Sequence, residues 1–321
     1  MAHRIRIDVS ISARFLAFGL CVLAALMGSA GAVAEPPPRL QLRFSSPDEA
    51  TEALIRAVRG ERIDRIVAIL GPQGRKLVVS GDPVQDRHGR EQFVAAYGQY
   101  HQIDSASSDR ATLVTGTEHW PFPIPLVQEQ GLWRFDTESG AREILHRRIG
   151  RNELSVIEVC QAYVSAQREY ATRDWAANGL HEFARRFLST AGKKDGLYWP
   201  AQAGEDESPL GPLVARARAE GYVKTHRDAR APYHGYLYKI LTRQGTGAPG
   251  GTLNYVADGH MTRGFALLAF PARYGYSGIM TFIVNQDGVV YQKDFGPKTR
   301  SLARRVSEFD PGNGWKAVEA K

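Results

Sequence analysis

Along residues 151–171, RNELSVIEVCQAYVSAQREYA, apolar side chains return every three or four positions. Val156, Cys160, Tyr163, Ala166 and Tyr170 share one face, while Glu158, Gln161, Arg168 and Glu169 fall elsewhere. The spacing predicts an amphipathic helix whose apolar side is covered by a sheet. Before it, Ser46-Pro47-Asp48-Glu49 reads as a capping-box helix start, and Ala50, Ala53, Leu54, Ala57 and Val58 supply a buried face. A second helix is predicted over 63–70, carrying Ile63, Ile66, Val67 and Leu70 and stopped by Gly71-Pro72. Ser80-Gly81-Asp82-Pro83 marks a turn, and a third helix is predicted over 90–100, with Phe93, Val94 and Tyr97 inward.

The period then changes to that of strands, at 111–116, 120–128 and 131–136. Pro121, Pro123 and Pro125 make the middle segment an edge strand or an irregular extended run, because proline removes a ladder donor. Past the central helix comes a long irregular connection ending in a short helix over 213–220. The last third is β in character: 233–241, 264–271, 279–284 and 289–293 read as four antiparallel strands. The last two flank Asn285-Gln286-Asp287-Gly288, a hairpin signal. The fold class is α+β, with a helix-rich first domain bearing a small curved antiparallel sheet. A long helix packed on a four-stranded antiparallel sheet follows. The expected boundaries are a leader at 1–34, a Pro-rich tether at 35–43, a first domain at 44–136, a basic connector at 137–150, a second domain at 151–315 and a tail at 316–321. The helices followed by curved strands resemble the cone-shaped fold of nuclear-transport-factor-2 and cystatin-like proteins.

The N-terminus changes the picture of where the protein works. Arg4, Arg6 and Arg14 precede an apolar run from Phe15 to Met27, and Ala32-Val33-Ala34 completes a leader peptide with cleavage between Ala34 and Glu35. The run is shorter than the roughly 18–20 apolar residues of a bilayer span. The expectation is therefore a bacterial protein that is periplasmic or secreted, with no stable membrane anchor after cleavage. Cys21 lacks the small preceding residue of a lipoprotein signal, which leaves Cys160 as the one cysteine of the mature chain, on the apolar face of its helix. Leader removal takes away three arginines and one aspartate and lowers the net charge from +7 to +5. That mild excess suits anionic envelope polymers or head groups. Lys and Arg are dispersed rather than interleaved with aromatics, which argues against nucleic acid.

Candidate chemistry is sparse. There is no His-Glu-x-x-His helix, phosphate-binding glycine-lysine loop, dinucleotide fingerprint or Cys-x-x-Cys pair, so no cofactor and no metal are expected. Gly275-Tyr276-Ser277-Gly278-Ile279 lacks the second glycine of a nucleophile elbow and reads as a tight turn. Arg142, Arg147, Arg148 and Arg151 form either an anion-binding patch or a solvated helix face. Trp120, Trp133, Tyr198, Trp199, Tyr233, Tyr236 and Tyr238 are candidate platform aromatics or ordinary core, and His234 stands beside Tyr233. The candidate binding residues are thus Trp120, Trp133, Arg147, Arg148, Arg151, Tyr198, Trp199, Tyr233 and His234. No catalytic residue is assigned.

Long strings, among them WPFPIPLV, HRRIGRNEL, YHGYLYKILTRQG and YGYSGIMTFIVNQDGVVYQKDFG, make the stretch 44–315 resemble the bacterial domain of unknown function 2950 family. The resemblance implies an exported bacterial protein and brings no catalytic residues with it. Asn152-Glu153, residues 166–171, Gly235-Tyr236, 265–271, 277–282 and 287–290 are distantly similar to the heads of type IV pilins and type II secretion pseudopilins. Arg151, Glu158, Arg168 and Glu169 stand where a pilin helix would be hydrophobic, and a whole domain precedes them, which argues against filament assembly. The expected function is a non-enzymatic binding or assembly protein of the cell envelope, its partner an envelope protein or polymer. One alternative is a hydrolase on envelope polymers, using His234 with Asp258 or Asp287. Another is small-ligand capture in the first domain, involving Trp133.

Overall fold

In the computed structural model, residues 41–202, 204–222, 231–312 and 314–319 are described. The leader, the Ala34–Glu35 cleavage point and most of the Pro-rich tether lie outside them. All the described residues fall within one unit, Pro38–Lys321. The protein is α+β, as its patterning predicts.

The first half opens with α1 (Pro47–Arg59), α2 (Ile63–Leu70), α3 (Gly74–Val78) and α4 (Pro83–Gln99). Ser46 caps α1 by accepting the Glu49 N–H at 3.1 Å. The Glu49 carboxylate turns back to the Ser45 N–H and hydroxyl, at 2.9 and 2.6 Å, so the box closes one residue early. α4 begins seven residues before its expected start, at Pro83. Its first turns, PVQDRHGR, carry little apolar signal, and their start is fixed by Asp82, whose Oδ1 accepts the Val84 and Gln85 N–H groups at 3.2 Å each.

The first sheet comprises β1 (His101–Ser107), β2 (Arg110–Thr115), β3 (Trp120–Pro121), β4 (Leu126–Glu129) and β5 (Leu132–Phe135). All pairings are antiparallel, in the order β1-β2-β4-β5, with β3 beside β2. The three prolines break the 120–128 segment into two short strands, as proline chemistry requires. β1 has no counterpart among the predicted strands: it is polar, almost wholly exposed, and bulged between Ser105 and Ser107.

α5 (Thr137–Tyr170) is 34 residues long, about 51 Å at 1.5 Å per residue. The stretch 137–150, expected as a connector, is its first part. The run lacks proline, and tertiary contacts hold it: Thr137 donates to Leu70 O at 2.6 Å, and Gly140 lies against the β3–β4 segment. A Cβ on Gly140 would sit 2.3 Å from the Pro123 carbonyl oxygen. The second half of α5 buries Val156, Cys160, Tyr163, Ala166 and Tyr170, the face read from the sequence.

Beyond α6 (Gly211–Ala219), the last third holds β6 (Tyr236–Leu241), β7 (Arg243–Gln244), β8 (Leu253–Asn254), β9 (Val256–Ala257), β10 (His260–Met261), β11 (Ala266–Pro271), β12 (Met280–Asn285) and β13 (Tyr291–Asp294). Helix α7 (Thr299–Arg305) and β14 (Lys316–Ala317) close the chain. The main sheet runs β14-β13-β12-β11-β6, which is the four predicted strands with β14 added at an edge; β7–β8 and β9–β10 are separate two-stranded pairs. α5 and α7 both pack on β11, which is buried at all six positions.

The two halves meet at a polar seam. Asp82 is fully buried, and its Oδ2 accepts the Tyr222 hydroxyl and the Gly235 N–H, both at 2.8 Å. Asn152 of α5 exchanges hydrogen bonds with Gln85 of α4 and donates to Ser277 O at 2.8 Å. Glu153 Oε1 takes the Ile279 and Met280 N–H groups at 2.9 and 3.0 Å. Arg273 donates to Val79 O at 2.9 Å. Gly235, at φ +74°, has no room for a side chain: its Cβ would lie 2.6 Å from Asn152 Nδ2.

Two pairs of variants test this account by urea denaturation. Gly140→Ala should lose about 1–3 kcal/mol through overpacking, whereas Gly150→Ala, in the same helix with nothing within 4 Å of the new Cβ, should gain about 0.5–1 kcal/mol from helix propensity. Asp82→Ala should cost roughly 2–4 kcal/mol, because it removes a helix cap and leaves two buried donors unpaired. Ser46→Ala, which removes only an exposed cap, should cost about 1 kcal/mol.

Candidate functional site

Capping by Asp82 starts α4 early enough to run its polar first turns opposite the first half of α5, and the space between the two helices is a cavity of about 850 Å³. Its apolar wall comes from Leu54 and Val58 of α1, Ile66 and Leu70 of α2, and Ile124 from the β3–β4 segment. Phe93 of α4 and Ile144 of α5 extend that wall. These positions are the inward faces predicted for α1 and α2, but they enclose a space as well as each other. The size lies within the about 300–1,000 Å³ typical of small-molecule sites.

The rim is charged. α4 supplies Asp86, His88 and Arg90; α5 supplies Arg148 and Arg151; Glu220, Tyr222 and His234 come from the second half. Asp86 is committed internally, both carboxylate oxygens accepting the Ser80 N–H at 2.9 and 3.1 Å. Burial raises its pKa, and the Ser80 hydrogen bonds oppose the rise. Arg148 donates to the carbonyls of Lys76, at 3.0 Å, and Leu77, in α3. Burial lowers its pKa; Asp86 counters the shift and Arg151 adds to it. Arg151 is exposed and has no ion-pair partner among the described residues. The Nε of Arg90 is buried without a hydrogen-bond partner there.

His234 sits at φ +48°, in the left-handed region. Its Nε2 lies 3.2 Å from Glu220 Oε2, and its ring packs against those of Tyr222 and Tyr233. Burial lowers the imidazole pKa, with Glu220 pulling the other way. The carboxylate beside His234 is therefore Glu220, not Asp258 or Asp287. Asp287 Oδ2 accepts from Asn285 Nδ2 at 3.0 Å in the β12–β13 turn, and Asp258 occupies the β9–β10 turn at φ +51°.

Of the candidates read from the sequence, Arg148, Arg151 and His234 converge on this cavity. Trp120 is exposed and sits on the surface with Arg147, whose guanidinium is 5.8 Å from the ring and ion-paired with Glu143 at 2.6 Å. Trp133 is core, bridged to Phe44 across the sheet, and borders a second, polar cleft of about 720 Å³ beside Tyr97 and β1. Tyr198 lies beneath Arg218, at 5.4 Å. Trp199 is buried, donates to Asp206 O at 2.9 Å and meets Trp175 edge-on. Tyr233 is buried against Tyr222. Trp133, Trp199 and Tyr233 are thus buried in packing, Trp133 also edging the second cleft. Asp86, His88, Arg90, Glu220 and Tyr222 are site residues without a sequence signal of their own, apart from the basic cluster in DRHGR.

Burial pushes the Cys160 thiol up to about 12, which leaves it an inert core group. The Ser277 hydroxyl exchanges hydrogen bonds with the backbone of Arg273, at 3.0 and 3.2 Å, and so closes the tight turn. No group of three or more potential metal ligands occurs among the described residues. No described helix is long and apolar enough to cross a membrane.

No curated protein and no solved structure matches the chain. A family model described as "Protein of unknown function (DUF2950)" matches residues 41–318, nearly everything from the first described residue to the last. The chain belongs to that family.

Proposed function

We propose that this is an exported, non-enzymatic binding protein of the bacterial cell envelope that takes a small ligand into the cavity between α4 and α5. The carrying observation is the cavity itself: about 850 Å³, walled on one side by aliphatic residues of three helices and rimmed by arginines. Export rests on the leader-type N-terminus. The first half then acts as a cystatin-like cone with its ligand space against the helices. The second half, a helix on an antiparallel sheet, acts as a pilin-head-like support, and no helix among its described residues is long and apolar enough to cross a membrane.

A hydrolase reading draws on one observation, the His234–Glu220 pair at the rim. Of the two protein nucleophiles weighed for it, Ser277 is engaged in its turn and Cys160 is sealed in the core.

Gly89 makes the binding reading testable. It lines the cavity from α4, and nothing lies within 4 Å of an added Cβ. An environment-sensitive apolar fluorophore should bind the purified protein at one site. Gly89→Trp should abolish that binding with an unchanged or slightly raised Tm. Equal probe binding by the variant would move the ligand elsewhere. Mass spectrometry of the native protein should find Glu35 as its first residue; a retained leader would remove the export element.

A further inference from the structure

We infer that the ligand is a single-chain amphiphile with an anionic head, carboxylate or phosphate. This rests on the binding reading above and adds the charge and the orientation of the occupant. Leu54, Ile66 and Ile124 are only 2%, 2% and 1% exposed, yet they line the cavity. They form the deep apolar floor of a cleft that is open on one side, suited to an alkyl chain, and each methylene buried there would contribute about 0.8 kcal/mol.

The head assignment comes from the balance of occupied and unoccupied charge at the rim. Both acids already have partners, Asp86 in the Ser80 N–H and Glu220 in His234. The cations are less well served. Arg90 has its buried Nε unpartnered, and Arg151 has no carboxylate beside it among the described residues. Arg148 and Arg151 are three residues apart on one helix, so they share a face; the charge of Arg148 is disfavoured by burial, favoured by Asp86 and disfavoured again by Arg151. An anion seated among these guanidiniums offsets that repulsion and takes the fork-shaped donors that only a carboxylate or phosphate matches. A neutral head leaves the repulsion in place, and a cationic head adds to it.

The experiment is competitive displacement of the apolar fluorophore from the purified full-length protein by four twelve-carbon ligands: dodecanoate, dodecyl phosphate, dodecanol and dodecyltrimethylammonium. At least one anion should displace the probe about tenfold more tightly than dodecanol, a preference of about 1.4 kcal/mol, and the cation should be weakest. Which anion leads distinguishes a fatty-acid-type from a phospho-head ligand. Arg151→Ala should bring the better anion down to the dodecanol value, and 0.5 M salt, used as a rough screen, should narrow the gap. Dodecanol equal to both anions, or a preferred cation, would overturn the head assignment while leaving the cavity reading intact. Absence of fluorophore binding to the unmodified protein would instead defeat the cavity reading itself.

Discussion

A buried carboxylate has to be given hydrogen bonds, and the way Asp82 receives its own organises this protein. Burying an ionised group without partners costs far more than a domain can spare. Asp82 accepts from two N–H groups of the helix it starts, from a tyrosine hydroxyl, and from the backbone of Gly235 at the entry to the second sheet. One side chain thereby fixes where α4 begins and where the two halves touch. Asn152 and Glu153 extend the same logic along α5 by satisfying backbone groups of the β11–β12 connection. The junction is thus polar and directional, which specifies one arrangement of the halves where an apolar seam would tolerate several.

The cavity follows from that arrangement. α5 works as apolar spine in its second half and as cationic wall in its first, because the elements beside it change from a closely packed sheet to the open side of α4. Gly140 lets the β3–β4 segment approach closely enough to form the end of the cavity, and Ile124 on that segment faces inward. Packing and recognition are therefore arranged along a single helix.

How far the chain could be read in advance depended on whether local pattern and tertiary demand agreed. The capped start of α1, the amphipathic face of α5, the four strands of the second sheet and the Asp-Gly hairpin were legible because burial there is periodic and the turns carry their own signals. The first turns of α4 were not legible, since a polar helix pinned by a distant contact leaves no period to read. Residues 137–150 resemble a connector for the same reason: their buried positions, Thr137, Gly140 and Ile149, are too few and too small to mark a face. Arg148, Arg151 and His234 were recoverable as charged or polar residues near structural punctuation. Arg90 and Glu220 were not, because only the fold brings them to the same cavity. The aromatic residues read either way from the sequence, and Trp133, Trp199 and Tyr233 are buried in packing.

The polarity that hides β1 from any hydrophobic pattern has a colloidal meaning. An outermost strand offers a row of unpaired backbone groups to any passing chain, and a flat apolar one templates aggregation. β1 presents His101, Gln102, Asp104, Ser105 and Ser107 to water and is kinked by its bulge. Joining it to another copy would strip solvent from those side chains and require the kink to straighten. The strand that carries the weakest folding signal is thereby an edge of the first sheet poorly suited to templating strand addition.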